Sequence, residues 1–334
     1  MSEEVIHAIT IGQISDFNSL QLKEIPLPHV PTGYVLIQTE FAIVNVADEL
    51  AVSNITKRPA HSTLGLEGSG VVVRSGGGQL ADSFLNRRVA FLSRGPQATG
   101  SFSDLVITDA KYVLPLPDQI SFEQGASLLN NPFTAAYLVK KIKDGNHRAV
   151  IQNAAASTVA RCLFQYCTYL GIPVINLVKD NEEENLLRSL NAEYIINVSQ
   201  QGWIDRAKEL ARSIKATIAF DSVGGDFTGE LLEILDEPGI LYVFGALSLQ
   251  PCRIKPSALL GQKKTVLGLD IEKWLAKTTT LKKTKLLQKV QGLIGNVINV
   301  DYTDTVGLDR VKDALCQYRE KKTANKFLIR TRNH

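Results

Sequence analysis

Runs of apolar residues broken by turn residues open the chain. Val5, Ile6, Ala8 and Ile9 predict a strand, and Val35-Leu36-Ile37-Gln38-Thr39 and Gly70-Val71-Val72-Val73 are rich in residues that suit a pleated surface. Ser75-Gly76-Gly77-Gly78 marks a turn, and prolines 26, 28, 31, 115 and 117 interrupt the rest. Up to about residue 122 the pattern predicts an irregular, mostly antiparallel β domain. From residue 123 strand and helix alternate. Short buried runs at Ala149–Asn153, Pro173–Val178, Thr217–Phe220, Ile240–Phe244 and Thr265–Leu267 are separated by helical stretches, one of them from Ser157 to Leu170. That alternation calls for right-handed crossovers and a parallel sheet of the doubly wound α/β class. Beyond about residue 296 short strands return (Val297 to Val300 and Lys326 to Ile329) around one amphipathic helix. The expected division is therefore 1–122 with 296–334 as one domain and 123–295 as the other.

Composition narrows the class. Hydrophobic residues make up 44% and charged residues 21%, ordinary for a globular chain, and the net charge is +3. The lysines at 282, 283 and 285 predict a solvated helix face rather than a nucleic-acid groove. No apolar run approaches the roughly 18 residues that span a bilayer. The acidic start Met1-Ser2-Glu3-Glu4 resembles neither a signal nor an Arg-rich transit segment, which leaves a cytoplasmic or a mitochondrial setting. Cys162, Cys167, Cys252 and Cys316 lack metal-type spacing and are expected as reduced thiols.

Two places carry candidate chemistry. After the run at Val150 comes Asn153-Ala154-Ala155-Ala156-Ser157-Thr158-Val159-Ala160, in the position of the first strand-to-helix turn of a dinucleotide-binding fold. Backbone N–H groups and the helix N-terminus meet a pyrophosphate there. The usual glycines are missing. The alanines still permit close approach, Ser157 and Thr158 offer caps and hydroxyls, and the branched Thr158 crowds the site. A plain structural turn fits these eight residues equally well. At the end of the next strand, where an NAD enzyme keeps an acid for the ribose, stand Lys179 and Asp180. A cation at that tip favours a 2′-phosphate. Its alternative is a solvated lysine at a strand end.

In order along the chain, further segments resemble the medium-chain dehydrogenase/reductase superfamily. They are Asn45-Val46-Ala47-Asp48, Gly65-Leu66-Glu67-Gly68-Ser69-Gly70-Val71-Val72, Gly100-Ser101-Phe102-Ser103-Asp104, Asn131-Pro132-Phe133-Thr134-Ala135-Ala136, Asp221-Ser222-Val223-Gly224-Gly225, Phe244-Gly245-Ala246-Leu247-Ser248 and Asn325-Lys326-Phe327-Leu328. Gln152 to Ser157 and Val174 to Asp180 are most similar to the 2-enoyl thioester reductases, with zeta-crystallin-like quinone reductases next. The resemblance implies a GroES-like domain beside a Rossmann domain, NADPH as cofactor, and a small acyl thioester or unsaturated carbonyl as substrate. It implies cofactor contacts at Asn131, Ser157, Thr158, Val159, Lys179, Phe244, Gly245, Ala246 and Lys326, and catalytic positions at Asn45 and Thr134. It also implies a homodimer. The zinc-ligand positions of the superfamily fall on Asn45, Leu66 and Asn130 or Asn131, which predicts a zinc-free protein. Ile55 stands about where the enoyl reductases have a Tyr that helps protonate the substrate, and Ser157-Thr158-Val159-Ala160 replaces their Ser-Gly-Val-Gly turn. These departures leave a quinone reductase or a non-catalytic relative as the rival readings.

Overall fold

Short, largely apolar strands dictate the architecture of the second half. A computed structural model of the protein describes residues 4–12, 16–52, 62–271, 273–274, 278, 280–320 and 326–332. Ile55 lies outside the described residues. The chain divides into two compact units, Met1–Asn131 with Asn299–His334, and Pro132–Ile298.

In the first unit the strands are β1 (Val5–Thr10), β2 (Gln21–Pro26), β3 (Tyr34–Ile43), β4 (Glu67–Ser75), β5 (Arg88–Leu92), β6 (Leu105–Asp109) and β7 (Val113–Pro115). The second unit contributes β8 (Ala149–Gln152), β9 (Val174–Val178), β10 (Tyr194–Asn197), β11 (Ala216–Asp221), β12 (Ile240–Val243) and β13 (Thr265–Gly268). The chain then returns to the first unit with β14 (Asp304–Gly307) and β15 (Phe327–Arg330).

In the first unit β1 and β2 form an antiparallel ribbon, and the main sheet runs β14-β15-β3-β4-β5-β7 with β6 also on β3. Every pairing in this sheet is antiparallel except β14 on β15. Its core gathers Ile9, Val44, Leu64, Phe102, Phe327 and the buried stripe of the helix Val311–Glu320. Val311, Ala314, Leu315 and Tyr318 recur at helical spacing, which puts one face of that helix in the core. Residues 123–131 side with this unit: the Tyr302 hydroxyl donates to the Glu123 carbonyl at 2.7 Å. A Cβ at Gly125 would stand 2.4 Å from Leu116.

The second unit is a six-stranded parallel sheet in the order β10-β9-β8-β11-β12-β13. All residues of β8 and β9 are buried, as expected of central parallel strands covered on both faces. Ala207 and Ala211, one turn apart on the helix Trp203–Ile214, are fully buried and let that helix lie close to the sheet core around Ile151, Leu177, Ala219 and Leu241.

Two sequence expectations are corrected. Val297 to Val300 is not a strand: the N–H groups of Val297 and Ile298 donate to the Leu293 carbonyl at 2.8 and 2.9 Å. They close the end of the helix Thr280–Leu293 and are unavailable to a ladder. The first strand of the tail is β14 instead, ahead of the expected β15. The edge strand β10, only partly buried, is an addition to the expected strands.

Candidate functional site

Strand order reverses between β8 and β11, and in such a sheet the crevice beyond the carboxyl ends at that point is where ligands bind. The residues there are locked together. The Asn153 amide donates to Asp221 Oδ1 at 2.7 Å and accepts from the Ser222 N–H at 2.8 Å. Asp221 Oδ1 also receives the N–H groups of Val223 (2.8 Å) and Gly224 (2.9 Å), while Oδ2 receives the Thr228 hydroxyl at 2.6 Å. Asp221 is fully buried, so these donors replace the water it gives up. In the sequence Asn153 and Asp221 are visible only as parts of motifs. Their shared signal is a polar residue ending an otherwise apolar strand.

From β8 the chain turns through Ala154, at φ +44°, into the helix Thr158–Tyr169. Ala155 and Ala156 are fully buried, so the missing glycines are compensated by the smallest side chain that packs here. Ser157 occupies the N-cap position, yet its side chain makes no capping bond, which corrects the expected cap. Its Oγ is buried with no hydrogen-bond partner. An uncapped helix N-terminus beside an orphaned hydroxyl is a donor set suited to a phosphate, and the residues therefore fit a dinucleotide. Thr158 and Val159 form the first helical turn next to it.

The loops after β11 and β12 are stitched by backbone bonds from Phe244 to Asp221, Leu247 to Ser222 and Ser248 to Val223 at 2.9, 3.1 and 2.9 Å. A Cβ on Gly245 would meet the Ser222 carbonyl oxygen at 2.6 Å, so the approach requires glycine. Phe244 is half-buried and Ala246 exposed at this edge. Lys179 follows the last residue of β9. Its ammonium pairs with Glu183 at 3.3 Å and stands 4.0 Å from Asp180. Asp180 caps the helix Asn181–Ser189 by accepting the Glu183 N–H at 2.8 Å. Ser157, Thr158, Val159, Lys179, Phe244, Gly245 and Ala246 thus share the carboxyl edge of one sheet. Thr134, 8% exposed, lies in the helix Asn131–Asp144 of the same unit.

The first unit collects a second group. Asn45 Oδ1 accepts from Lys326 Nζ at 2.7 Å, from Asn130 Nδ2 at 3.2 Å and from Asn131 Nδ2 at 3.5 Å. Asn45 Nδ2 donates to Glu67 Oε1 at 3.1 Å, and the Asn45 N–H to Asp48 Oδ2 at 2.8 Å. Asn45, Asp48, Glu67 and Lys326 are all buried. Burial pushes the Glu67 carboxyl up to about 7, the Lys326 charge and the Asn45 bond hold it down, and the Asp48 charge raises it further. Lys326, expected at the cofactor, is turned onto Asn45. Glu67 and Asp48 were not singled out from sequence; an acid at the start of the apolar strand β4 was the available signal.

These positions do not fit zinc. Asn45, Leu66, Asn130 and Asn131 offer amides and an alkyl chain where a thiolate–imidazole–thiolate set would be needed. Among the described residues no three His, Cys, Asp or Glu side chains could hold a metal ion. No helix among them is long and apolar enough to cross a membrane.

Sheet order and edge chemistry define a two-unit protein with a dinucleotide-type sheet. Comparison with known proteins gives the same class. A family model described as zinc-binding dehydrogenase matches residues 158–288. The mitochondrial enoyl-[acyl-carrier-protein] reductase of Xenopus tropicalis is 25% identical over 291 residues, 82% of this chain and 79% of that one. A quinone oxidoreductase of Pseudomonas aeruginosa is 30% identical over 188 residues, 56% of this chain and 57% of its own. Among solved structures, a putative NADPH:quinone reductase from Mesorhizobium loti superposes with a TM-score of 0.89 at 21% identity, covering 99% of both chains. The quinone oxidoreductase of Escherichia coli, complexed with NADPH, gives 0.83 at 23%, covering 97% of this chain and 99% of that one. The chain has the fold of these solved quinone oxidoreductase structures. Its relatives include mitochondrial enoyl-[acyl-carrier-protein] reductases and quinone oxidoreductases.

Proposed function

We propose that the protein is an NADPH-dependent reductase of an activated carbon–carbon double bond, with a 2-enoyl thioester as substrate. The observation that carries the cofactor is the uncapped helix at Ser157, with its orphaned hydroxyl, at the switch point of the parallel sheet. Ser157, Thr158 and Val159 would hold the pyrophosphate, Gly245 and Ala246 would border the nucleotide, and Lys179 would meet the 2′-phosphate. When bound, NADPH supplies the hydride. Reduction of the double bond adds that hydride at the β-carbon and leaves an enolate, whose negative charge must be stabilised and then protonated. Thr134 and Asn45 are assigned to orienting the nicotinamide or the substrate carbonyl. Asn45 is suited to this by being held in one orientation through Lys326, Asn130, Asn131 and Glu67. With Ile55 in the place of the Tyr, water would deliver the proton.

The substrate class rests on the enoyl reductase among the relatives and on the stretches around Gln152 and Val174. A quinone reductase is the second reading, favoured by the similar solved structures and by the absence of a need for a protonating Tyr. NADPH fluorescence on mixing tests binding, and oxidation of NADPH with a crotonyl thioester against a small quinone tests the substrate. Turnover of the quinone alone would displace the enoyl assignment. No binding of nucleotide would move the chain to a non-catalytic role.

A further inference from the structure

Lys179 is not a bare cation awaiting a phosphate. Glu183, four residues on and in the first turn of the helix Asn181–Ser189, has a side chain only 5% exposed, whereas that of Lys179 is 61% exposed. One Glu183 oxygen stands 3.3 Å from the ammonium and the other accepts the Lys179 backbone N–H at 3.2 Å. The carboxylate is therefore anchored beneath a lysine that is free to swing. Asp180 and Glu182 add further negative charge to the same turn. Glu184, by contrast, is engaged by Arg188 at 2.5 Å and by Asn197 at 3.1 Å.

We propose that Glu183 determines how strongly the protein discriminates NADPH from NADH: it holds Lys179 as an internal counter-ion that the 2′-phosphate must displace. This rests on the dinucleotide reading given above. A phosphate carrying nearly two charges would draw the Lys179 ammonium away from Glu183 and would also feel the carboxylate left behind. NADH carries no such group and leaves the pair intact. The built-in competitor makes the preference for NADPH modest even though a cation stands at the strand tip.

The test is titration of both nucleotides against wild type and variants, followed by fluorescence, with no turnover involved. Glu183→Gln keeps an acceptor for the Lys179 N–H and remains compatible with an acid-or-amide third helical position. It should tighten NADPH about three- to tenfold, the range of a partly exposed charge pair, and leave NADH within about twofold. The gain should shrink as salt is added. Glu184→Gln, the same charge change one residue on, should shift the NADPH-to-NADH ratio less. In a Lys179→Ala background the Glu183→Gln gain should fall. Glu183→Asp, which retains the helix-terminal acid but withdraws it by one methylene, should raise the ratio by a smaller factor and serves if the amide variant does not fold. An unchanged ratio in the Glu183 variants, or an equal gain from Glu184→Gln, overturns the proposal while leaving the cofactor reading in place. A wild-type protein that binds neither nucleotide overturns that reading and this inference with it.

Discussion

Asn45 is a single side chain holding four polar side-chain partners, and its neighbours show what burial does to charge. Glu67 is buried and its carboxyl is raised to about 7 from an ordinary 4.5. Between those values the folded protein holds a proton that the unfolded chain has released. Stability from this group is therefore complete below pH 4.5 and is lost as pH rises towards 7. Chemical denaturation from pH 5 to 8 should show that decline in wild type and a flatter profile in Glu67→Gln. Lys326→Ala leaves Glu67 without its buried cation and should cost about 3 kcal/mol at neutral pH. The loss should be smaller at pH 5, where Glu67 is already neutral; equal losses at both would mean that Lys326 acts by packing alone. In the second unit, Lys179→Ala should weaken NADPH by about three- to tenfold and spare NADH, because an exposed, already paired lysine contributes little. Equal losses for both nucleotides would remove Lys179 from the 2′-phosphate.

At the scale of elements, the strand-end loops depend on contact distances more than on residue chemistry. Gly245 lies where the loop after β12 crosses the Ser222 backbone, and an added methyl would stand 3.0 Å from Ser222 Cα and nearer still to its carbonyl. Gly245→Ala should force the loops apart, cost about 1–3 kcal/mol, and weaken both nucleotides alike. Unchanged melting temperature and affinity would show that the loops yield freely. The first turn after β8 tolerates alanine for the converse reason: Ala155 and Ala156 point into the cluster with Val178 and Leu187, where a methyl is packing material.

For the whole molecule, zinc and self-association are the properties open to direct measurement. Elemental analysis after purification without chelator should find no stoichiometric zinc, because the superfamily's ligand positions carry Asn45, Leu66 and Asn130 or Asn131. One zinc per chain would refute that alignment. Among the described residues strand β13 ends the parallel sheet with an unpaired edge, and Leu267 on it is 41% exposed, with Leu259 and Leu260 nearby in sequence at 44% and 86%. An open edge flanked by exposed leucines invites pairing with a second copy. Light scattering should give a homodimer at micromolar concentration and a shift towards monomer in Leu267→Lys. A monomeric wild type would count against it.

Local pattern determined a good deal of this by itself. The buried runs at Val150, Val174, Ile218, Leu241 and Val266 announced parallel strands because a strand covered on both faces must be largely apolar. The alternation of those runs with helices then limited the topology to a doubly wound sheet. The strand-end positions of Ser157, Lys179 and Gly245 followed from the same register. Tertiary structure alone decided how distant polar groups satisfy one another. Lys326 reaches Asn45 across 281 positions, and Asn153 reaches Asp221 across 68. Neither partnership leaves a periodic trace, since burial of a charge is compensated by whichever donor the fold brings near. Two local contacts also escaped the β pattern: Val297 and Ile298 are β-prone residues whose N–H groups were claimed by the preceding helix end, and Lys179 finds its counter-ion four residues on, in a helical turn.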